Sequence, residues 1–210
     1  MTKRTILIIT IIAASCTCAQ ASEHIGVGWH AGYTRDMGNL SEMTGVTFRP
    51  QNNYIAGLMF KLDFQFFFLR FGVDRSVLAD RGEIKDNSMG SLESLNIQFT
   101  SVPVFTGLNF PVRDRGAFFM GIGGEYIITG GDIRTTAGRT RIDTDIFGFG
   151  FISGIQIRAS DSVRALLEWE YLYAKTGPLA DIDSPSLGQK SFAADYTGHR
   201  IFIGILYYMI

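Results

Sequence analysis

The segment Val163-Arg164-Ala165-Leu166-Leu167-Glu168-Trp169-Glu170-Tyr171-Leu172-Tyr173 decides the fold. Val163, Ala165, Leu167, Trp169, Tyr171 and Tyr173 alternate with Arg164, Leu166, Glu168, Glu170 and Leu172, and a period of two places the two sets on opposite faces of a β-strand. One face is apolar and aromatic and suits lipid. The other carries all of the segment's charge and suits a polar interior, over a length of about 9–11 residues that lets a tilted strand cross a bilayer.

Working outward, the same alternation recurs. Ile25, Val27, Trp29, Ala31 and Tyr33 oppose Gly26, Gly28, His30, Gly32 and Thr34. Phe67, Leu69, Phe71 and Val73 oppose Phe68, Arg70, Gly72 and Asp74, and Phe147, Phe149, Phe151, Ile155 and Ile157 oppose Gly148, Gly150, Gly154, Gln156 and Arg158. Further strands are predicted over 54–63, 95–110, 117–128 and 197–210, which brings the total to eight. The longest uncharged stretch, Ser94 to Val112, is a poor membrane helix because it contains Pro103, Asn96 and Gln98. A membrane protein without helices must close its strands into a barrel, so that each backbone group finds a partner.

Alternation alone also fits a soluble barrel with the faces exchanged. Bulk separates the two: the Phe, Trp, Tyr, Ile and Leu set would overfill the lumen of eight strands, whereas the glycine-rich set packs there readily. Loop lengths give a second signal. Short turns are predicted near 63–65, 111–116 and 159–161, and long polar loops over 35–52, 76–93, 129–144 and 174–196. Three short turns on one side and four long loops on the other suit an even-stranded membrane barrel with both termini in the periplasm.

The N-terminus reads as an export signal. Lys3 and Arg4 precede an apolar run from Ile6 to Ala14, and Ala19-Gln20-Ala21 offers a small-residue cleavage site, so 1–21 is expected to be a signal peptide and 22–210 the barrel domain. Ala13-Ala14-Ser15-Cys16 loosely matches a lipoprotein site at which Cys16 would be lipidated, with Ala13 where a branched residue is usual. Cys16 and Cys18 both fall within the signal, so the remaining chain has no disulfide or thiolate metal site. Without Lys3 and Arg4 the 19 basic residues become 17 against 20 acidic ones, a formal charge of −3 and no footprint for nucleic acid.

Gly-Ile-Gly-Gly-Glu-Tyr at 121–126, Phe-Gly-Phe-Gly-Phe at 147–151 and a last strand ending Gly204-Ile205-Leu206-Tyr207-Tyr208-Met209-Ile210 give 22–210 its family likeness. The chain resembles the small outer-membrane β-barrels of Gram-negative bacteria, the group of OmpX, OmpA-barrel and OmpW types. The resemblance implies an outer-membrane location, surrounding outer-membrane lipids, and passage through periplasmic chaperones to the barrel assembly machinery. That machinery reads an amphipathic last strand usually closed by Phe or Trp; here the closing residue is Ile210.

Chemistry-bearing motifs are sparse. Gly26-Val27-Gly28-Trp29-His30-Ala31 matches a relaxed dinucleotide fingerprint but lacks the preceding strand and following helix, so no cofactor is expected. His24, His30 and His199 are scattered, and within the predicted strands none has a serine two residues away, which argues against acyl hydrolysis and against a metal site. The inward charges are more informative: Arg70, Asp74, Glu125, Arg158, Arg164, Glu168 and Glu170 are expected to form a salt-bridged plug, because unpaired ions are costly in a narrow lumen. Lys61, Asp63 and Arg200 share that face and could equally be solvated at a rim.

Trp29, Tyr33, Trp169, Tyr171, Tyr173, Tyr207 and Tyr208 are candidates for aromatic girdles at the membrane interfaces. Arg134, Arg139 and Arg141 make 129–144 locally basic, a candidate contact for anionic lipid head groups or host polyanions, and the loops in general are candidates for host or lipopolysaccharide ligands. The function expected is a non-enzymatic surface protein whose plugged barrel displays four loops for structural, adhesive or host-contact roles. The alternatives are an OmpW-like channel lined by Ile55, Met59, Phe119, Ile152, Leu166 and Leu172, and a barrel enzyme acting on lipid A.

Overall fold

The computed structural model describes residues 24–35, 39–41, 46–48, 52–64, 66–79, 84–87, 92–112, 115–135, 138–175, 181–184, 188–191 and 193–209. The expected signal peptide, with Cys16, lies outside them, as does much of the loops 35–52, 76–93 and 174–196.

Eight strands form one closed antiparallel barrel. They are β1 (His24–Arg35), β2 (Asn52–Phe64), β3 (Phe67–Ala79), β4 (Leu92–Val112), β5 (Gly116–Thr135), β6 (Gly138–Arg158), β7 (Val163–Tyr173) and β8 (Gly198–Met209). Each strand pairs with its neighbours in sequence, and β1 closes the ring against β8 from Ile25↔Met209 to Thr34↔Arg200. Among the described residues no helix is long and apolar enough to cross a membrane. Strands do the crossing here.

The faces are inverted relative to a soluble protein. On β7, Leu166, Glu168, Glu170 and Leu172 are buried while Ala165, Leu167, Trp169, Tyr171 and Tyr173 are exposed. On β8, Ile203 is 63% exposed, whereas Arg70 on β3 is 1% exposed. Water on such an apolar wall would cost about 25 cal/mol for each Å². A hydrocarbon surround removes that cost, so the barrel is a membrane protein.

The lumen is filled by large side chains set against small ones. Met59, Phe68, Phe105, Phe119, Ile152, Leu166, Leu206 and Tyr208 form a buried cluster. Gly154 makes room for it: a Cβ there would come 2.5 Å from the Phe119 ring. The apolar inward residues proposed as a greasy channel are thus packed into a core.

One difference from the sequence reading follows from strand length. Segment 129–144 is a hairpin and not a loop, since β5 and β6 continue to Thr135 and Gly138 with pairs such as Asp132↔Arg141 and Thr129↔Thr144. Its Asp-Ile-Arg-Thr and Arg-Ile-Asp-Thr-Asp-Ile stretches alternate like the rest of the wall, and β-branched residues pair well across the hairpin. Polarity alone made it look like a loop. At Pro103, which has no N–H to give to β3, the β3–β4 ladder passes from Phe71↔Val104 directly to Asp74↔Ser101 and ends at Arg75↔Thr100.

The belt predicts a measurable asymmetry. Ile203→Arg, pointing outward from the middle of β8, should destabilise the folded barrel in vesicles by about 2–4 kcal/mol, whereas Ile203→Ala should cost much less. Urea titration followed by tryptophan fluorescence would check it, and equal costs would mean the wall does not meet hydrocarbon.

Candidate functional site, a crossed lumen and an outer-wall groove

Two guanidiniums span the barrel. Arg70 of β3 places Nη2 3.0 Å from Glu168 Oε1 on the opposite strand β7, and the same nitrogen lies 3.2 Å from Nδ1 of His30. Arginine has no lone pair to offer, so Nδ1 is the acceptor and the ring proton sits on Nε2. Nε2 donates to Asp74 Oδ1 at 2.5 Å. Above this chain, Arg200 of β8 puts Nη1 2.6 Å from Glu125 Oε2 on β5 and 3.3 Å from Glu170 Oε1 on β7. All seven side chains are essentially fully buried.

Local backbone supports the arrangement. Gly57 on β2 lies beside the His30–Asp74 contact, and a Cβ there would come 2.7 Å from His30 Nε2. His30 stacks on Phe202 with ring centroids 4.6 Å apart, which fixes the imidazole plane. Tyr196, just before β8, is fully buried; its hydroxyl lies 2.5 Å from Thr129 Oγ1 and its ring meets the Phe99 ring edge-on. These residues cap the end of the lumen where the long connections lie.

The other end is closed by a second polar cluster. Lys61 Nζ is 2.9 Å from Asp63 Oδ1 and donates to Asn109 Oδ1 at 3.2 Å, while the Asn109 amide donates to Asp63 at 2.7 Å. The Tyr208 hydroxyl donates to Asp63 Oδ2 at 2.5 Å. The ammonium of Lys61 also sits 4.8 and 4.7 Å from the centroids of Phe68 and Phe119, so cation–π attraction joins this cluster to the apolar one.

The sequence-selected residues therefore separate as follows. Arg70, Asp74, Glu125, Glu168 and Glu170 meet in the lumen, and Arg164 leans inward over the Tyr208 ring at 4.4 Å. Arg158 does not join them: it is exposed at the end of β6 and pairs with Asp161 across the turn at 2.6 Å, because the last residue of a strand can swing into water. Tyr208 is likewise no girdle residue. Its even position on β8 points it inward, where Asp63 binds its hydroxyl. Trp29, Tyr33, Trp169, Tyr171, Tyr173 and Tyr207 are all on the outer wall, with Tyr33 against Tyr54 and His199 against both Trp169 and Tyr171.

Sequence reasoning put Lys61, Asp63 and Arg200 on the inward face with a solvated rim as an equal reading, put His30 on that face without a partner, and left out Asn109; the structure buries all five in the interior clusters. Strand parity could have found Asn109 as well. Among the described residues no group of three or more His, Cys, Asp or Glu side chains could hold a metal. Both ring nitrogens of buried His30 are occupied, which leaves it no nucleophile to activate.

A further feature lies on the outer wall near the long connections. A cavity of about 640 Å³ is formed by Arg75 of β3, Gln98 to Thr100 of β4, Ile128 to Asp132 of β5, and Arg141 and Asp143 of β6. Of the basic trio, Arg141 contributes to it; Arg134 and Arg139 face each other near the tip of the hairpin, and their side chains lie outside the described residues.

A closed ring of eight strands with an apolar wall and a charged, filled lumen defines a small outer-membrane β-barrel. No protein-family model and no curated protein matches the chain. Solved structures agree with the class. Neisserial surface protein A superposes with a TM-score of 0.51 at 11% identity, covering 87% of this chain and 96% of its own. The N-terminal β-barrel domain of OprF from Pseudomonas aeruginosa gives 0.50 at 6% identity, with 90% and 98% covered. Ail, the attachment invasion locus protein of Yersinia pestis, in complex with the heparin analogue sucrose octasulfate, gives 0.50 at 10% identity, with 89% and 98% covered. At such identities the likeness extends to the fold alone.

The crossed lumen predicts that its members are unequal. Arg200→Met leaves Glu125 and Glu170 without the cation that bridges them and should cost about 3–5 kcal/mol in unfolding free energy. Glu170→Gln, which keeps the Arg200–Glu125 contact, should cost clearly less. Equal losses in vesicle-based urea unfolding would show that Arg200 acts through packing and not through charge.

Proposed function

We propose that this chain is a non-enzymatic outer-membrane surface protein that displays its long connections and its β5–β6 hairpin to the outside. The observation that carries this reading is the difference in strand length. β3 pairs with β4 only as far as Thr100, and β7 pairs with β6 only as far as Phe149, yet β4, β5 and β6 continue as a three-stranded blade to Leu92, Thr135 and Gly138. A membrane anchor has no use for a sheet that outruns its barrel. A contact surface does, because residues on rigid strands hold their positions better than residues on loops.

In this reading residues 1–21 are removed on export, and the remaining domain reaches the membrane through periplasmic chaperones and the assembly machinery. The outer-wall tyrosines and tryptophans anchor it at the interfaces. Arg134 and Arg139 at the hairpin tip, with Arg141 below, make a polyanion the first ligand to test. Sucrose octasulfate, bound by the structurally similar Ail, is a defined probe.

Two observations weigh against the alternatives. Passage of hydrophobic molecules needs an open apolar path, and the lumen is crossed by Arg70–Glu168 and Arg200–Glu125 and filled by Phe68, Phe105 and Phe119. Acyl hydrolysis needs a reachable base beside a serine; His30 is 1% exposed, and the exposed His199 is stacked against Trp169 and Tyr171 on the outer wall.

Replacing 132–141 by a two-residue Asn-Gly turn should leave the heat-modifiable gel shift unchanged and remove binding of sulfated polysaccharide and of host cells. A shortened protein that binds both as well as the full chain would refute display through the blade.

A further inference from the structure

The outer-wall groove lies where the wall changes character. Reading along each strand toward the long connections, β3 passes from Val73 to Arg75, β4 from Val102 to Thr100 and Gln98, and β6 from Phe147 to Asp145 and Asp143. On β5 the change falls between Ile128 and Gly130. These positions share one face, and the ladder aligns Arg75 with Thr100, Thr100 with Ile128, and Gly130 with Asp143. The cavity of about 640 Å³ thus straddles the edge of the apolar belt and opens sideways, toward the bilayer.

Its charges are unequal in availability. Asp132 and Asp143 are already engaged by other groups. Arg75 and Arg141, both exposed, have no ion-pair partner among the described residues, and they reach the groove from the two outer strands of the four. Gly130 keeps its floor open, since a Cβ there would meet nothing within 4 Å. Asp132 and Asp143 share the lining, but neither is ion-paired to Arg75 or Arg141 among the described residues, and two guanidiniums free to take an anion above an aliphatic wall match an anionic headgroup attached to acyl chains.

We infer that this groove holds the phosphate headgroup of a lipid from the surrounding leaflet, with Arg75 and Arg141 on the phosphate and the acyl chains along Val73, Val102 and Phe147. The lateral opening selects a membrane lipid over a soluble polyanion, which would approach from above. The inference is independent of the display reading, since it requires only that the wall faces lipid.

The full chain, refolded in phosphatidylcholine vesicles containing either phosphatidic acid or diacylglycerol of the same acyl composition, tests it by native mass spectrometry of the lipids retained after detergent extraction. The wild type should retain phosphatidic acid over diacylglycerol by at least about tenfold, as expected for two charge-assisted contacts. R75Q and R141Q should each lose part of that preference and the double variant all of it, while R115Q, at the opposite rim, should keep it. The paired variant Arg75→Lys with Arg141→Lys, which retains charge without the planar fork, should fall in between and serves as the comparison if the double glutamine variant does not fold. Equal retention of the two lipids by the wild type, or an undiminished preference in the double variant, would overturn the site. Displacement of phosphatidic acid by glycerol phosphate at equal concentration would overturn the lipid assignment in favour of a soluble anion.

Discussion

The ladder between β1 and β8, in which Ile25 faces Met209 and Thr34 faces Arg200, joins the two ends of the chain and removes the last free strand edges from the membrane. An open sheet in hydrocarbon would leave a row of N–H and C=O groups without partners, each costing several kcal/mol. Once the ring is closed, the wall can be wholly apolar. The lumen must then take every polar side chain that the alternation directs inward.

That inheritance explains the interior. Eight strands enclose too little space for bulk water, so inward charges must find each other across the barrel. Arg70 meets Glu168 on the opposite strand, and Arg200 meets Glu125 three strands away. Such contacts tie together strands that share no backbone hydrogen bonds, and this makes the interior a set of cross-braces as much as a plug. The apolar cluster around Phe68, Phe105 and Phe119 separates the braces from the Lys61–Asp63–Asn109 cluster at the far rim.

The rigidity has a consequence for function. With the lumen occupied and His30 held by Asp74 and Arg70, chemistry and transport have little room inside, and the proposed roles therefore rest on the surfaces the barrel carries. Those are the blade of β4, β5 and β6 above the belt and the groove at its base. Beyond Arg75↔Thr100, β3 stays paired with β2 and β4 with β5, but the two no longer pair with each other, and this parting marks the place where the barrel ends and the blade begins.

Strand number, pairing order and the identity of the two faces were legible in the sequence, because side-chain direction in a strand depends only on position parity and the apolar set was too bulky for a narrow lumen. Segment 129–144 was misread because charged residues on the outer face of a strand above the membrane look like a loop. Arg158 and Tyr208 were misplaced because parity loses authority at a strand end for one and because an aromatic near the terminus suggested an interface for the other. Parity determined by itself that Arg70, Glu125, Glu168, Glu170 and Arg200 face inward. Which of them meet was decided by the tertiary structure alone, since the partner across a barrel depends on the stagger of eight registers added around the ring, and that sum is set by closure and not by any local stretch of chain.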